Sequence, residues 1–528
     1  MKANRIAVAV VAALAGGICT APAEAALQLY VDQKTKQIYA EPGPGRIPLG
    51  TFKQVGAEEG AAEDLDTMIE QKKEELKKLD KRLKSVEAKQ KKEEEEKKTK
   101  AATPKSEKKW HEKYNIGGYA QLRFSALTSG DAKNVLALPN DRSIGAPNNM
   151  YLRRGRIKLS GDVSDWLSIY TQLDLASSIS GVSSSSSTST NNFAQIRDLY
   201  GDIYFDKKRE FRLRPGISKV PFGWELLQSS QNRASVERAQ VTSPMTVRDE
   251  RDLGAFFYWS PEEAQERFKY LVKSGLKGSG DYGVFGFGFF NGQGLKRFEL
   301  NQSMHTAVRL TYPFEIPGDQ MLEVGASAFT GRYINTPTAL TYRPVGATSN
   351  ITTTPVVRCQ KTNATGGFVN GNSGGCNDER VGFHAILYPK PFGLQAEWIW
   401  GHTPMLNEQS VERGTPFVEN GGLNGGYIQA MYKIDHFYGT WYPYFKYEQY
   451  DGGSKFDANS PRARVSHYEF GVEYDPLPEF AIRAAYDILG ATNVGQTTNT
   501  GKFAGLNNGL PYGYYTGNLV RLGLQWNY

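Results

Sequence analysis

The run Leu152-Arg153-Arg154-Gly155-Arg156-Ile157-Lys158-Leu159-Ser160 places Arg154, Arg156 and Lys158 at alternate positions, with Ile157 and Leu159 between and after them. In an extended strand successive side chains point to opposite faces, so these three cations share a face that the apolar pair avoids. Rows of guanidinium and ammonium groups attract anions, and guanidinium suits the paired oxygens of phosphate-like groups. The same alternation turns Arg123, Arg212, Arg214, Arg309, Arg483 and Arg521 to the cationic side. It also turns Asp174, Asp198, Asp202, Glu323, Glu397, Glu448, Glu469 and Glu473 there. That face is mixed in sign, with a net anion preference as the expectation.

Side chains suited to covalent chemistry are not arranged for it. The sequence has no C-x-x-C-H, P-loop, G-x-S-x-G or H-E-x-x-H motif. His111, His305, His384, His402, His436 and His467 show no metal-ligand spacing, and Glu469 and Glu473 point the same way along one strand. A non-enzymatic protein without metal or cofactor is expected. Cys359 and Cys376 fall in one glycine-rich stretch, 332–379. A disulfide in an oxidising compartment is the expectation there, with two free thiols as the alternative.

The ends of the chain indicate what must position these groups. In the last residues Val520, Leu522, Leu524, Trp526 and Tyr528 alternate with Arg521, Gly523, Gln525 and Asn527. Apolar-out, polar-in alternation ending on an aromatic is the pattern of the closing strand of an outer-membrane β-barrel. At the other end Lys2 and Arg5 precede the apolar run Ile6 to Leu14 and Ala23-Glu24-Ala25, which predicts a signal peptide over 1–25. Elsewhere no apolar run reaches the roughly 18 residues of a membrane helix, so a membrane home requires a closed barrel. The mean hydropathy of −0.50 is compatible with that, because only every second strand residue must be apolar. A net charge of +7 over 528 residues does not imply a nucleic-acid partner.

Four segments follow. After the signal peptide, 26–61 is expected to hold a small hairpin, from Leu27 to Val31 and Gln37 to Ala40, and then an extended linker. Over 62–105, Ile69, Leu76 and Leu83 fit heptad position a, and Leu65, Leu79 and Val86 fit d. This predicts a short coiled coil, either a self-associating stalk or a single solvated spacer helix. The barrel occupies 110–528, with strands expected at 117–127, 150–160, 166–176, 195–205, 211–220, 252–259, 282–290, 303–312, 321–331, 380–387, 394–401, 426–434, 439–450, 464–474, 480–489 and 518–528. Long polar connections (128–149, 177–194, 221–251, 291–302, 332–379, 402–425, 451–463, 490–517) alternate with tight ones. The connection 260–281 is too long for that rhythm, and Phe268 to Leu276 within it is a candidate extra strand. The predicted fold class is all-β: a 16-stranded antiparallel transmembrane barrel preceded by a short α-helical coiled coil.

The segments Gly118-Tyr119-Ala120-Gln121, Leu152 to Asp162, Ile196 to Tyr200, Lys219-Val220-Pro221-Phe222-Gly223-Trp224-Glu225, Glu237-Arg238-Ala239 and Arg251 to Gly254 resemble the phosphate-selective porin O/P family of Gram-negative outer membranes. The resemblance covers the first half of the barrel best and leaves 26–109 outside. It implies a trimeric porin of the outer membrane whose third long loop folds into the pore as its constriction. That loop is 221–251 here, opened by Pro221-Phe222-Gly223 and carrying Arg233, Arg238 and Arg248 beside Glu225, Glu237, Asp249 and Glu250. The expected function is passive diffusion of small anionic or polar solutes, phosphate and other oxyanions among them. Arg123, Arg154, Arg156, Lys158, Arg212, Arg214 and Arg309 are the expected pore-lining groups. Two alternatives keep the barrel and change its use: a sheath for a partner such as an electron-transfer protein, or an envelope tether whose coiled coil binds a periplasmic partner or the cell wall.

Overall fold

The structure, a computed structural model, describes residues 27–32, 38–39, 46–52, 110–130, 149–176, 194–239, 242, 251–295, 298–360, 374–457, 459–494 and 512–528. The expected signal peptide and coiled coil lie outside the described residues. The chain divides into two units, Met1–Ser106 and Glu107–Tyr528.

In the first unit Leu27–Asp32 pairs antiparallel with both Ile38–Tyr39 and Arg46–Phe52, making a three-stranded sheet. The third strand replaces the expected linker. It accommodates Pro48 beside a register shift at Leu29/Tyr30, the kind of irregularity where a strand tolerates proline.

In the second unit sixteen long antiparallel strands close a barrel, and the short segments Val356–Val357 and Ile434–His436 add to its rim. The strands are Tyr114–Gly130, Asn149–Ser164, Leu167–Asp174, Gln195–Tyr204, Phe211–Lys219, Arg251–Trp259, Phe285–Phe290 and His305–Ile316 in the first half. Gln320–Tyr333, Cys376–Leu387, Phe392–Leu406, Phe417–Tyr432, Gly439–Gly453, Arg462–Leu477, Phe480–Val494 and Tyr512–Asn527 complete it. Closure is made by the last strand on the first, from Gly517↔Gly130 to Asn527↔Tyr119. Tyr528 extends the seam: its carbonyl accepts from Gly118 N at 2.6 Å, and its hydroxyl donates to Arg156 O at 3.0 Å. Gly118 is required there, because a Cβ would collide with the backbone carbonyl oxygen of Arg156 as well as with the Tyr528 ring.

The period-two pattern sorts the wall as expected. On the last strand Leu522, Leu524 and Trp526 are 47, 41 and 38 % exposed, whereas Arg521 and Gln525 are 0 and 2 % exposed. Apolar groups face outward and charged ones face the lumen, the arrangement that spares a charge on the lipid face roughly 2–4 kcal/mol at the midplane.

Within the barrel the structure corrects two expectations. The region around Phe268 is an α-helix, Glu262–Lys273, and not an extra strand. Ala264, Phe268 and Leu271 recur at helical spacing and are buried together, with Pro261, Glu262 and Glu263 opening the helix and Lys273 closing it. The expected loop 402–425 is largely strand: Phe392–Leu406 and Phe417–Tyr432 stay in register from Phe392↔Tyr432 to Leu406↔Val418, leaving a tip with the short helix Glu408–Glu412. Strands need not stop where the apolar pattern stops, since backbone pairing continues beyond it. At this long-loop end Cys359 and Cys376 are joined in a disulfide.

Candidate pore constriction

After the strand Phe211–Lys219 the chain enters the lumen instead of arching over the rim. In 220–239 every residue except Ser229, Gln231 and Asn232 is buried. Its opening, Val220-Pro221-Phe222-Gly223-Trp224, is apolar enough to pack against the inner wall. The Phe222 ring meets Phe329 edge-on at 5.0 Å, and Trp224 joins Phe268, Leu271, Met321, Ile386 and Tyr388 in one buried cluster. The helix Glu262–Lys273 thus supports the loop from the short-turn end. Gly223 has φ +69°, and its lack of a Cβ leaves room for the Glu397 carboxylate. The Trp224 and Glu225 amides donate to the two oxygens of that carboxylate, each at 3.0 Å.

Further along, the loop is held by charge. Glu225 accepts from Lys446 Nζ at 3.0 Å and from the Ala239 amide at 2.9 Å, which folds the loop back on itself. Glu237 is met by Arg123, by Arg153 Nε at 2.6 Å and by Arg154 Nη2 at 3.1 Å, while Arg233 Nη2 stands 3.8 Å away. Burial alone would push the Glu237 carboxyl up. The guanidinium groups of Arg123, Arg153, Arg154 and Arg233 outweigh it and hold the group well below the usual carboxylate range. Lys158 donates to Gln231 Oε1 at 2.8 Å, and Gln525 donates to the Gln231 carbonyl at 3.1 Å. The loop therefore crosses the lumen, bonded to walls on both sides. Beside it, toward the short turns, a cavity of 410 Å³ opens among Gln231, Asn232, Lys277, Arg483 and Gln525.

A closed barrel with an inward loop narrows a water-filled path without blocking the strands around it. The sequence pattern of the phosphate-selective porin O and P family matches residues 130–528, most of the chain. The chain belongs to this family. No curated protein matches it in sequence. Among solved structures it is similar to OmpF of Salmonella typhi, determined in complex with daunomycin, at 11% identity and a TM-score of 0.45, over 79% of this chain and 97% of that one. It is also similar to outer-membrane-expressed OmpT of Vibrio cholerae, at 10% identity and a TM-score of 0.40, over 79% and 97%. As a phosphate-selective porin O and P member it is an outer-membrane porin that passes small solutes.

The expected pore-lining groups of this porin all lie on the inner wall, but they differ in company. Arg156 Nε bonds Asp174 at 3.0 Å, Arg212 bonds Asp281 at 3.0 Å, Arg214 bonds Asp202 at 2.7 Å and Arg309 bonds Glu323 at 3.1 Å. Beside Arg212, the Asp281 carboxyl, which burial would raise, is brought down to about 2. Arg123 and Arg154 converge with Arg153 and Arg233 on Glu237. Arg238 donates to the Glu225 and Gln228 carbonyls and supports the loop from within, at 3.1 and 2.8 Å. Pro221, Phe222 and Gly223 form the loop's entry, and Arg248 lies outside the described residues.

Sequence reasoning did not single out Arg153, Lys219 or Lys446 for the constriction. Arg153 sits at a β-bulge where Gln121↔Arg154 is followed by Leu122↔Leu152, so two consecutive arginines both reach the lumen. Lys219 Nζ donates to the Leu227 and Gln228 carbonyls at 2.8 and 3.0 Å. His467, Glu469 and Asp487 bring potential ligand atoms within 4.8 Å of one another. They are engaged with neighbours: His467 lies between Glu448 and Asp487, Arg521 pairs with Asp487 at 2.9 Å, and Glu469 accepts from Tyr444 at 2.6 Å. That arrangement is a charge network of the wall.

Proposed function

We propose that this porin passes small anionic and polar solutes with a preference for anions, phosphate and other oxyanions included. The observation that carries the reading is the convergence of Arg123, Arg153, Arg154 and Arg233 on the single carboxylate of Glu237 where the loop meets the wall. Arg156, Arg212, Arg214 and Arg309 each pair with one carboxylate and so add little net field, whereas four guanidinium groups share Glu237 and positive charge is in excess there. In a narrow pore with low-dielectric walls, an excess of one sign concentrates the opposite ion. Selection is electrostatic, and no covalent step is involved.

The sheath alternative is disfavoured by the loop itself, which crosses the lumen where a partner protein would have to pass. In our reading the long-loop end faces outside and the short turns face the periplasm. Residues 26–61 and the coiled coil expected over 62–105 then lie in the periplasm, available to a partner there, and the porin is a homotrimer.

The test is the reversal potential of the refolded full chain in planar bilayers under a potassium chloride gradient. Anion preference that diminishes in Arg154→Gln supports the reading. Cation preference, or a potential unchanged by that substitution, overturns it.

A further inference from the structure

The group around Glu237 has more donors than one carboxylate uses. Arg233 is 2 % exposed, and its Nε and Nη1 meet no acceptor among the described residues. Its contact with Glu237, at 3.8 Å, is longer than those of Arg153 and Arg154. A carboxylate offers two oxygens and a tetrahedral oxyanion four, so these converging guanidinium groups can satisfy a larger anion than the one they hold. That carboxylate also belongs to the loop and not to the barrel wall. The loop backbone beside it has its own anchors: the Val236 amide donates to Glu469 at 3.1 Å and the Ala239 amide to Glu225 at 2.9 Å. The Glu237 side chain can therefore leave the arginines while the loop stays in place.

We propose that Glu237 is a tethered counter-anion occupying an oxyanion site of the pore, and that a permeating tetrahedral oxyanion passes by displacing it from Arg123, Arg153, Arg154 and Arg233. The proposal rests on the anion-channel reading above and adds regulation to it, since the resting pore carries its own competitor. Exchange requires no bond to be made or broken covalently. The incoming oxygens accept the guanidinium N–H groups as the carboxylate gives them up.

Chloride current through the full chain in planar bilayers, titrated with inorganic phosphate, tests this. Glu237→Gln keeps the side chain's size and removes its charge, and should lower the half-blocking phosphate concentration by about tenfold. Glu237→Asp keeps the charge but shortens its reach, and should lower it by less. Equal half-blocking concentrations in the wild type and both variants overturn the proposal. If Glu237→Gln does not refold, Glu237→Asp decides alone, and an unchanged value sinks the idea. Anion preference that depends on Arg154, together with phosphate block indifferent to residue 237, removes the tethered anion and leaves the channel reading standing. Absence of anion preference in the wild type removes both.

Discussion

The two halves of the inward loop are fastened to the barrel by different physics. From Phe222 to Gln228 the attachment is mainly apolar packing on Phe329 and the Trp224 cluster, backbone amides on Glu397 and carbonyls capped by Lys219, with the single ion pair of Glu225 to Lys446. From Ser229 to Ala239 it is mostly ion pairs and polar side chains reaching across from Gln121, Arg123, Arg153, Arg154, Lys158 and Lys446. Packing is short-ranged and indifferent to what flows past, whereas charge acts across a water-filled gap. The first half therefore determines where the constriction is, and the second what it favours.

The largest effect should come from the packed half. Trp224 is fully buried, and Trp224→Ala should cost about 3–5 kcal/mol, as large-to-small core substitutions with a residual cavity do. Thermal or denaturant unfolding of the refolded barrel measures the loss, and single-channel traces should show larger, noisier conductance with anion preference diminished as the loop loses its position. If conductance stays quiet and unaltered, packing does not position the loop. Leu271→Ala on the supporting helix should act in the same direction at about 2–5 kcal/mol, since Leu271 shares that cluster. A stability loss without a conductance change there would confine the helix to the barrel floor.

In the charged half the expected change is in selectivity. Arg233→Gln removes a buried cation whose only ion pair among the described residues is the 3.8 Å contact with Glu237. Reversal potentials should move toward cations, by up to roughly tenfold in permeability ratio, with single-channel conductance of the same order as the wild type. A shift in conductance with no shift in selectivity would reverse the roles assigned to the two halves.

Much of this was legible in the sequence, and the exceptions have a common cause. Strand periodicity is local, so Val520 to Tyr528, the cations Arg154, Arg156 and Lys158 and the inward carboxylates sort to their faces from spacing alone. The helix at 262–273 was legible too, in Pro261-Glu262-Glu263 and the spacing of Ala264, Phe268 and Leu271, but an expected barrel rhythm favoured a strand. The bulge that turns Arg153 inward leaves no local mark. Nor could spacing show that Glu237 would meet arginines more than 80 residues away in the chain, because the path of the loop is fixed by Glu323, Glu397 and Lys446 on distant strands. Which inward charges are present is a local property of the sequence; which are compensated is a tertiary one.

The smallest expected effect on selectivity follows from that compensation. Arg214 forms a two-pronged pair with Asp202, both contacts at 2.7 Å, and its guanidinium lies 4.0 Å from the centre of the Tyr200 ring. Asp202→Asn alone leaves a buried guanidinium without its carboxylate and should destabilise the barrel by about 3–5 kcal/mol. Adding Arg214→Gln removes the stranded charge and should recover much of that loss, as replacing both members of a buried pair generally does. Because the pair is neutral as a unit, the double variant should keep the wild-type reversal potential even though an arginine on the expected pore lining has gone. A clear loss of anion preference in the double variant would show that paired wall arginines also contribute to selection, and would spread the selectivity site from the loop contact around the barrel.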